Sequence, residues 1–225
     1  LVLAVEPAAL TGFGRSAVTA ASERELATAA TGAEWLRKLA FAAAAVAWPA
    51  HIFWKLGRRT PGTLSIWIIS LSLTAALVVQ AVTAARPAPL WLQLLDDVGS
   101  AAVLGATLTA MLLGHWYLTT PTMSLQPLRW FCPVLAVAAL VRLAATLAGI
   151  AEIDLQTLDL IRWLWLSLRV LGGVLGPLLA AILVRSILQY RNTQSATGVL
   201  FAILILVFMG EMSAALLERD FGLPL

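Results

Sequence analysis

Six runs of largely apolar residues, each about the twenty that a helix needs to cross the hydrocarbon core of a bilayer, divide this chain. They are Leu36–Leu56, Thr63–Ala85, Val98–Thr119, Trp130–Ile150, Ile161–Val184 and Thr197–Leu217. The breaks have physical causes. Arg58-Arg59-Thr60-Pro61-Gly62, Arg86-Pro87-Ala88-Pro89, Thr120-Pro121 with Pro127, and Arg191-Asn192-Thr193-Gln194 combine charge, missing backbone donors and turn formers. Helices are the expected spans, because each satisfies its own backbone polar groups where no water is present. The expected fold is therefore an all-α polytopic transmembrane bundle of six spans, or seven if an earlier helix precedes Leu1. Residues 1–34 are expected outside the bilayer, 35–219 as the bundle and 220–225 as a short tail.

Composition agrees. A soluble chain is roughly half apolar and about a quarter charged, whereas here 60% of the residues are hydrophobic and 12% charged. Lipid must be the solvent for most of the surface. The net charge of +3 comes from scattered lysines and arginines, with no basic stripe and interleaved aromatics for a nucleic-acid backbone. The single cysteine, Cys132, excludes an internal disulfide. With two histidines beside it, His and Cys alone cannot build a structural zinc site. No phosphate-binding glycine loop, HExxH or GxSxG sequence occurs, and no loop is long enough for a soluble catalytic domain.

Charge also orients the spans. Lys55, Arg58, Arg59, Arg129, Arg185 and Arg191 flank alternate connections, against Arg86, Arg162 and Arg219 on the other side. The positive-inside rule places the richer side in the cytoplasm, giving a cell-membrane protein with both termini outside. Arg15, Arg24, Arg37 and Lys38 run against that assignment. Trp35, Trp54, Trp91, Trp116, Tyr117, Trp130, Trp163, Trp165 and Tyr190 fall near span ends, where amphipathic rings form interfacial belts. Residues 14–34 read as a short surface helix begun by a capping box, Ser22 with Glu25. Leu1–Phe13 reads as the end of a signal segment or of an earlier helix.

Three groups of residues carry candidate chemistry. His51 and His115 lie late in the first and third spans, which run in the same direction. At matched depth two imidazoles can hold a b-type haem axially, with Lys55, Arg58 and Arg59 toward its propionates and Gly114 admitting a flat ring. The plain alternative is two unconnected interfacial histidines. Arg142, Arg169 and Glu211 are ionisable residues inside spans four to six. A lone ion there costs ~2.5–3.5 kcal/mol on insertion scales, so pairing is expected: Glu211 with Arg169 or Arg142, which leaves one positive charge for a ligand, another subunit or the surface, or else Asp96 and Asp97 as the partners instead. Such a cluster can hold a quinone headgroup, relay protons or bind an anion; equally, it can be polar glue between helices. Gly172 and Gly176 form a GxxxG face ahead of Pro177, which predicts close helix packing and a kink.

The functional expectation is a non-catalytic subunit of a larger membrane assembly of the electron-transfer kind, holding haem b or a quinone. Its partners are the bilayer and other membrane subunits, with no nucleic acid. Two alternatives are a small secondary transporter or channel and a cofactor-free scaffold.

Overall fold

A computed structural model describes residues 8–83, 88–120, 123–153 and 158–221, with side chains from residue 27 onward. Every regular element among them is a helix: α1 (Ala8–Lys55), α2 (Arg59–Thr83), α3 (Leu90–Thr119), α4 (Gln126–Ala151), α5 (Leu160–Leu168), a π segment (Arg169–Leu175), α6 (Gly176–Gln189) and α7 (Thr193–Phe221). Five helical stretches are long and apolar enough to cross a membrane: α2, α3, α4, the continuous Leu160–Gln189 run, and α7. The chain is an all-α membrane bundle. The run Leu36–Leu56 lies in α1, where Lys38, Pro49, His51 and Lys55 dilute an alanine-rich stretch, and α1 is not among the five. The reading of Leu1–Phe13 falls partly outside the described residues, as do parts of the breaks at 84–87 and 121–122 and of the 220–225 tail.

The chain divides into two compact units, Leu1–Ala85 and Arg86–Leu225. In the first unit α1 is unbroken over 48 residues. Ser22 therefore stands inside a helix and not at its start, because alanine on both sides favours continued helix over a cap. The helix stops at Gly57, whose φ of 69° gives the left-handed turn that costs glycine least. Its N–H donates to the Trp54 carbonyl (3.1 Å) and that of Arg58 to the Phe53 carbonyl (2.9 Å). This is the paired hydrogen bonding of a Schellman termination. Pro61 then sits in the opening turn of α2, where a missing N–H costs nothing. The returning helix packs along α1. Gly62 makes room for the Trp54 indole, and a Cβ on Gly32 would overlap Thr83.

In the second unit α3 packs on α4 and α7, α4 on α6, and α5, the π segment and α6 all on α7. Leu128, Leu135, Val103, Val184, Leu188, Leu200 and Val207 are fully buried between them. The fifth span runs unbroken through Pro177, but one turn widens to π geometry just before it, and the Gly176 N–H donates to the Leu171 carbonyl. A proline leaves the carbonyl four residues earlier without its donor, and a wider turn redistributes the bonds around that gap. Gly172 lies against the Leu206 backbone and Gly176 near Ile203, so the expected GxxxG face does meet α7. The tightest approach is between Gly173 and Gly210, where a Cβ on either would strike the other's backbone. Tyr117 is no belt residue: it is 2% exposed, and its hydroxyl donates to the Ser124 carbonyl at 2.7 Å, fastening the α3–α4 connection.

Candidate functional site: a buried ionic cluster

Four charged side chains meet near one end of the second unit. Asp96 lies six residues in from the start of α3, Arg142 nine from the end of α4, Arg169 nine beyond the start of α5, and Glu211 ten from the end of α7. Antiparallel neighbours bring those positions to one level, roughly 9–15 Å from the helix ends at 1.5 Å per residue. Glu211 is the hub. Arg142 donates to it from Nε (3.1 Å to Oε1) and from Nη2 (2.9 Å to Oε2). This is the two-pronged contact that a planar guanidinium makes with a carboxylate. Arg169 Nη1 donates to Oε1 at 2.7 Å, and the Ser100 hydroxyl to Oε2 at 2.6 Å. The remaining Arg142 nitrogen, Nη1, donates to the Asp96 carboxylate and, at 3.3 Å, to the Asp96 carbonyl.

The expected trio is thus brought together, and Asp96 completes it. The two guanidinium groups face two carboxylates, so no net charge is left over. Arg142 and Arg169 are 1% and 0% exposed. In a low-dielectric interior, such burial is tolerated only when charges are matched and well bonded. The sequence implies this pattern on α3, because Asp96, Gly99 and Ser100 recur at helical spacing on one face. Ser100 escaped notice there, being an ordinary small residue. Gly99 leaves room for the Arg142 side chain, since a Cβ there would come within 3.3 Å of Arg142 Cδ. Arg169 is the exception to full bonding: its Nε and Nη2 are buried and have no hydrogen-bond acceptor among the described residues.

The histidine group is arranged differently. His51 belongs to the first unit and His115 to the second, and both are exposed on their helices, as are Lys55, Arg58 and Arg59. Gly114 does not admit a ring: it is buried against Thr197 of α7, whose hydroxyl would sit 2.7 Å from a Cβ. His115 lines a shallow, mostly apolar groove with Met111, Leu112, Leu118, Thr197 and Phe201. Among the described residues no three His, Cys, Asp or Glu side chains gather as a metal site would require. At the rim of the second unit, an ion pair outside the expected set joins Arg162 to Asp220 at 3.2 Å, with Arg162 also over the Phe221 ring. Comparison of the chain with protein families, with characterised proteins and with solved structures returns no match.

Proposed function

We propose that the chain is a multi-pass membrane subunit of a larger electron-transfer assembly, and that its ionic cluster takes a quinone headgroup. The observation that carries this reading is Arg169. A wholly buried guanidinium with two uncommitted N–H groups offers donors to an acceptor, and a quinone carbonyl is one. Glu211 beside it is a carboxylate in reach of the same headgroup, and intramembrane ionisable residues commonly mark ligand or proton paths. The chain belongs in the cell membrane, with the α1–α2, α3–α4 and α6–α7 connections on the cytoplasmic side. The test is the quinone content of purified protein, measured by extraction and chromatography. Arg169→Met removes the free donors and leaves Glu211 paired with Arg142. Quinone retained by the parent and lost in this variant, with helicity unchanged, supports the reading; equal content in both overturns it.

In the haem form of the same proposal, His51 and His115 bind haem b, with Lys55, Arg58 and Arg59 toward the propionates. A Soret band abolished by either His→Ala variant supports that form, and absence of the band removes it. A second reading, a cofactor-free scaffold, is favoured by the charge balance of the cluster, which needs no ligand to be neutral. It predicts co-purification with partner subunits and no bound quinone or pigment. A transporter reading draws on the π segment beside ionisable groups, and flux in proteoliposomes that depends on Glu211 is its test.

A further inference from the structure

Two surface features of the second unit adjoin, one at the end opposite the ionic cluster and the other running from there along α3 and α4 toward the level of the cluster. One is a pocket of about 520 Å³ lined by Arg129, Arg185, Gln126 and Gln189, with Trp130 and Pro133 as its apolar wall. The other is a wholly apolar groove of about 390 Å³ between α3 and α4, lined by Val98, Ala102, Val134 and Val137. Trp130 and Pro133 line both. A strongly basic mouth therefore continues into a hydrocarbon-lined channel on the outside of the bundle.

The two arginines are not consumed by the fold. Arg129 gives one bond, from Nη2 to the Leu188 carbonyl at 3.1 Å, which ties α4 to the end of α6. Among the described residues Arg185 has no hydrogen bond or ion pair, and no carboxylate meets either guanidinium. Both are exposed, as is Trp130 at 64%. Pro133 also lacks the N–H that would bond the Arg129 carbonyl in the helix, leaving an acceptor beside the pocket.

We infer that this surface is a binding site for one anionic glycerophospholipid. Its phosphate is taken between Arg129 and Arg185, its headgroup hydroxyls meet Gln126, Gln189 and the Arg129 carbonyl, and an acyl chain lies past Trp130 along the valine groove. Basic pockets between membrane helices select anionic headgroups in this way. A neutral amphiphile has no use for two unpaired guanidinium groups, and free phosphate has none for the groove. The inference stands whether or not the ionic cluster binds a quinone.

The test uses the full chain in detergent with equal amounts of phosphatidylglycerol and phosphatidylcholine, and native mass spectrometry to count retained lipid. The parent retains phosphatidylglycerol preferentially. Arg185→Gln, which breaks no bond of the fold, reduces that preference roughly fivefold, as does Arg129→Gln, from about 1 kcal/mol per basic residue at a membrane surface. Arg191→Gln, a charge at the same end of the bundle but outside the pocket, leaves it unchanged. Phosphatidylglycerol with brominated acyl chains quenches tryptophan emission more than brominated phosphatidylcholine, and Trp130→Phe removes that difference. Equal retention of both lipids, an Arg191→Gln effect as large as that of Arg185→Gln, displacement by inorganic phosphate alone, or quenching indifferent to Trp130→Phe would each overturn the inference.

Discussion

The α1–α2 hairpin and the α3–α7 bundle use the same vocabulary of alanine, leucine and tryptophan, yet they differ in where their charged groups find partners. In the hairpin Thr31, Ser65, Ser72, Thr74 and Thr83 are satisfied within their own helices, each donating to the carbonyl four residues back. Only 11% of the apolar window of α2 is buried, against 33–39% in the bundle helices. Phe41, Trp48, Trp67 and Leu71 are all 70% exposed or more. In the bundle Thr107, Ser167, Thr197 and Ser213 bond in the same local way, but charged side chains also bond across helices, and Arg142 and Arg169 are among the most buried residues described. A helix whose polar groups close on themselves can sit in lipid without a neighbour. One that carries Arg142 or Arg169 requires specific neighbours at a fixed register. The difference separates a hairpin whose hydroxyls bond locally from a bundle whose assembly is dictated by charge.

The sharpest way to break that contrast is at Glu211. Glu211→Ala leaves Arg142 and Arg169 facing one carboxylate, and unpairing a buried charge costs about 3–5 kcal/mol. Denaturant unfolding in detergent is expected to register that loss. A combined Asp96→Leu, Arg142→Met, Arg169→Met and Glu211→Leu variant is expected to recover most of it, because an apolar set of similar volume carries no desolvation penalty. A combined variant as unstable as Glu211→Ala would mean the charges contribute more than mutual compensation. In the hairpin, Ser72→Ala is expected to change stability by less than about 0.5 kcal/mol, since it removes only a local bond at an exposed site.

Glycine sharpens the same comparison at smaller magnitude. Gly210→Ala forces a methyl into the Gly173 backbone, and overpacking of this kind costs about 1–3 kcal/mol. Gly105→Ala, on α3 with open space around it, is expected to stabilise by up to about 1 kcal/mol through helix propensity alone. In the hairpin Gly57 is sensitive for its backbone and not for space: Gly57→Ala meets no atom within 4 Å but must adopt φ of 69°, costing about 1–2 kcal/mol. Thermal unfolding of the three variants checks both signs, and a destabilising Gly105→Ala would refute the open-space reading.

Leu36–Leu56 falls in α1, which is not among the five long apolar helices, but the sequence makes the other five of the six expected spans legible because the bilayer imposes length and apolarity on a crossing. It also makes the depth of the charges legible, since counting residues from each loop puts Arg142, Arg169 and Glu211 at one level. Rotation about the helix axis is harder to read. Asp96 and Asp97 are adjacent and chemically equal, and Asp96 bonds to Arg142 because it shares a face with Gly99 and Ser100. The motif ending in Pro177 predicts a kink; the span instead absorbs the missing donor in a π turn, Arg169–Leu175, and the motif does not distinguish the two outcomes. Gly210 is an ordinary glycine until Gly173 is seen across from it. For His51 and His115, direction along the chain suggests a shared membrane face, but nothing in the spacing governs which way either side chain points. The continuity of α1 through Ser22 is a tertiary outcome too, because a good capping pattern competes there with alanine-rich sequence on both sides.

The smallest expected effect belongs to an ion pair of the hairpin, Glu34 with Lys38, at 2.8 Å and about half exposed on both sides. The Lys38 ammonium holds the Glu34 carboxyl below its ordinary value of 4.5, first by hydrogen bonding and then by charge. A depressed carboxylate pKa contributes stability that is present above the unfolded value and is lost as pH falls through the folded one. Acidification below 4.5 is therefore expected to loosen this turn of α1 and never to tighten it. Exposed pairs four residues apart are weak and salt-screened, and Lys38 also rests over the Trp35 ring, 5.0 Å from its centre, whatever the charge on Glu34. Glu34→Gln should accordingly leave the unfolding midpoint within error at pH 7 and abolish any acid-dependent change in Trp35 emission. A shift comparable to that of Glu211→Ala would show that charge governs the hairpin as it governs the bundle, and the contrast between the two units would fail.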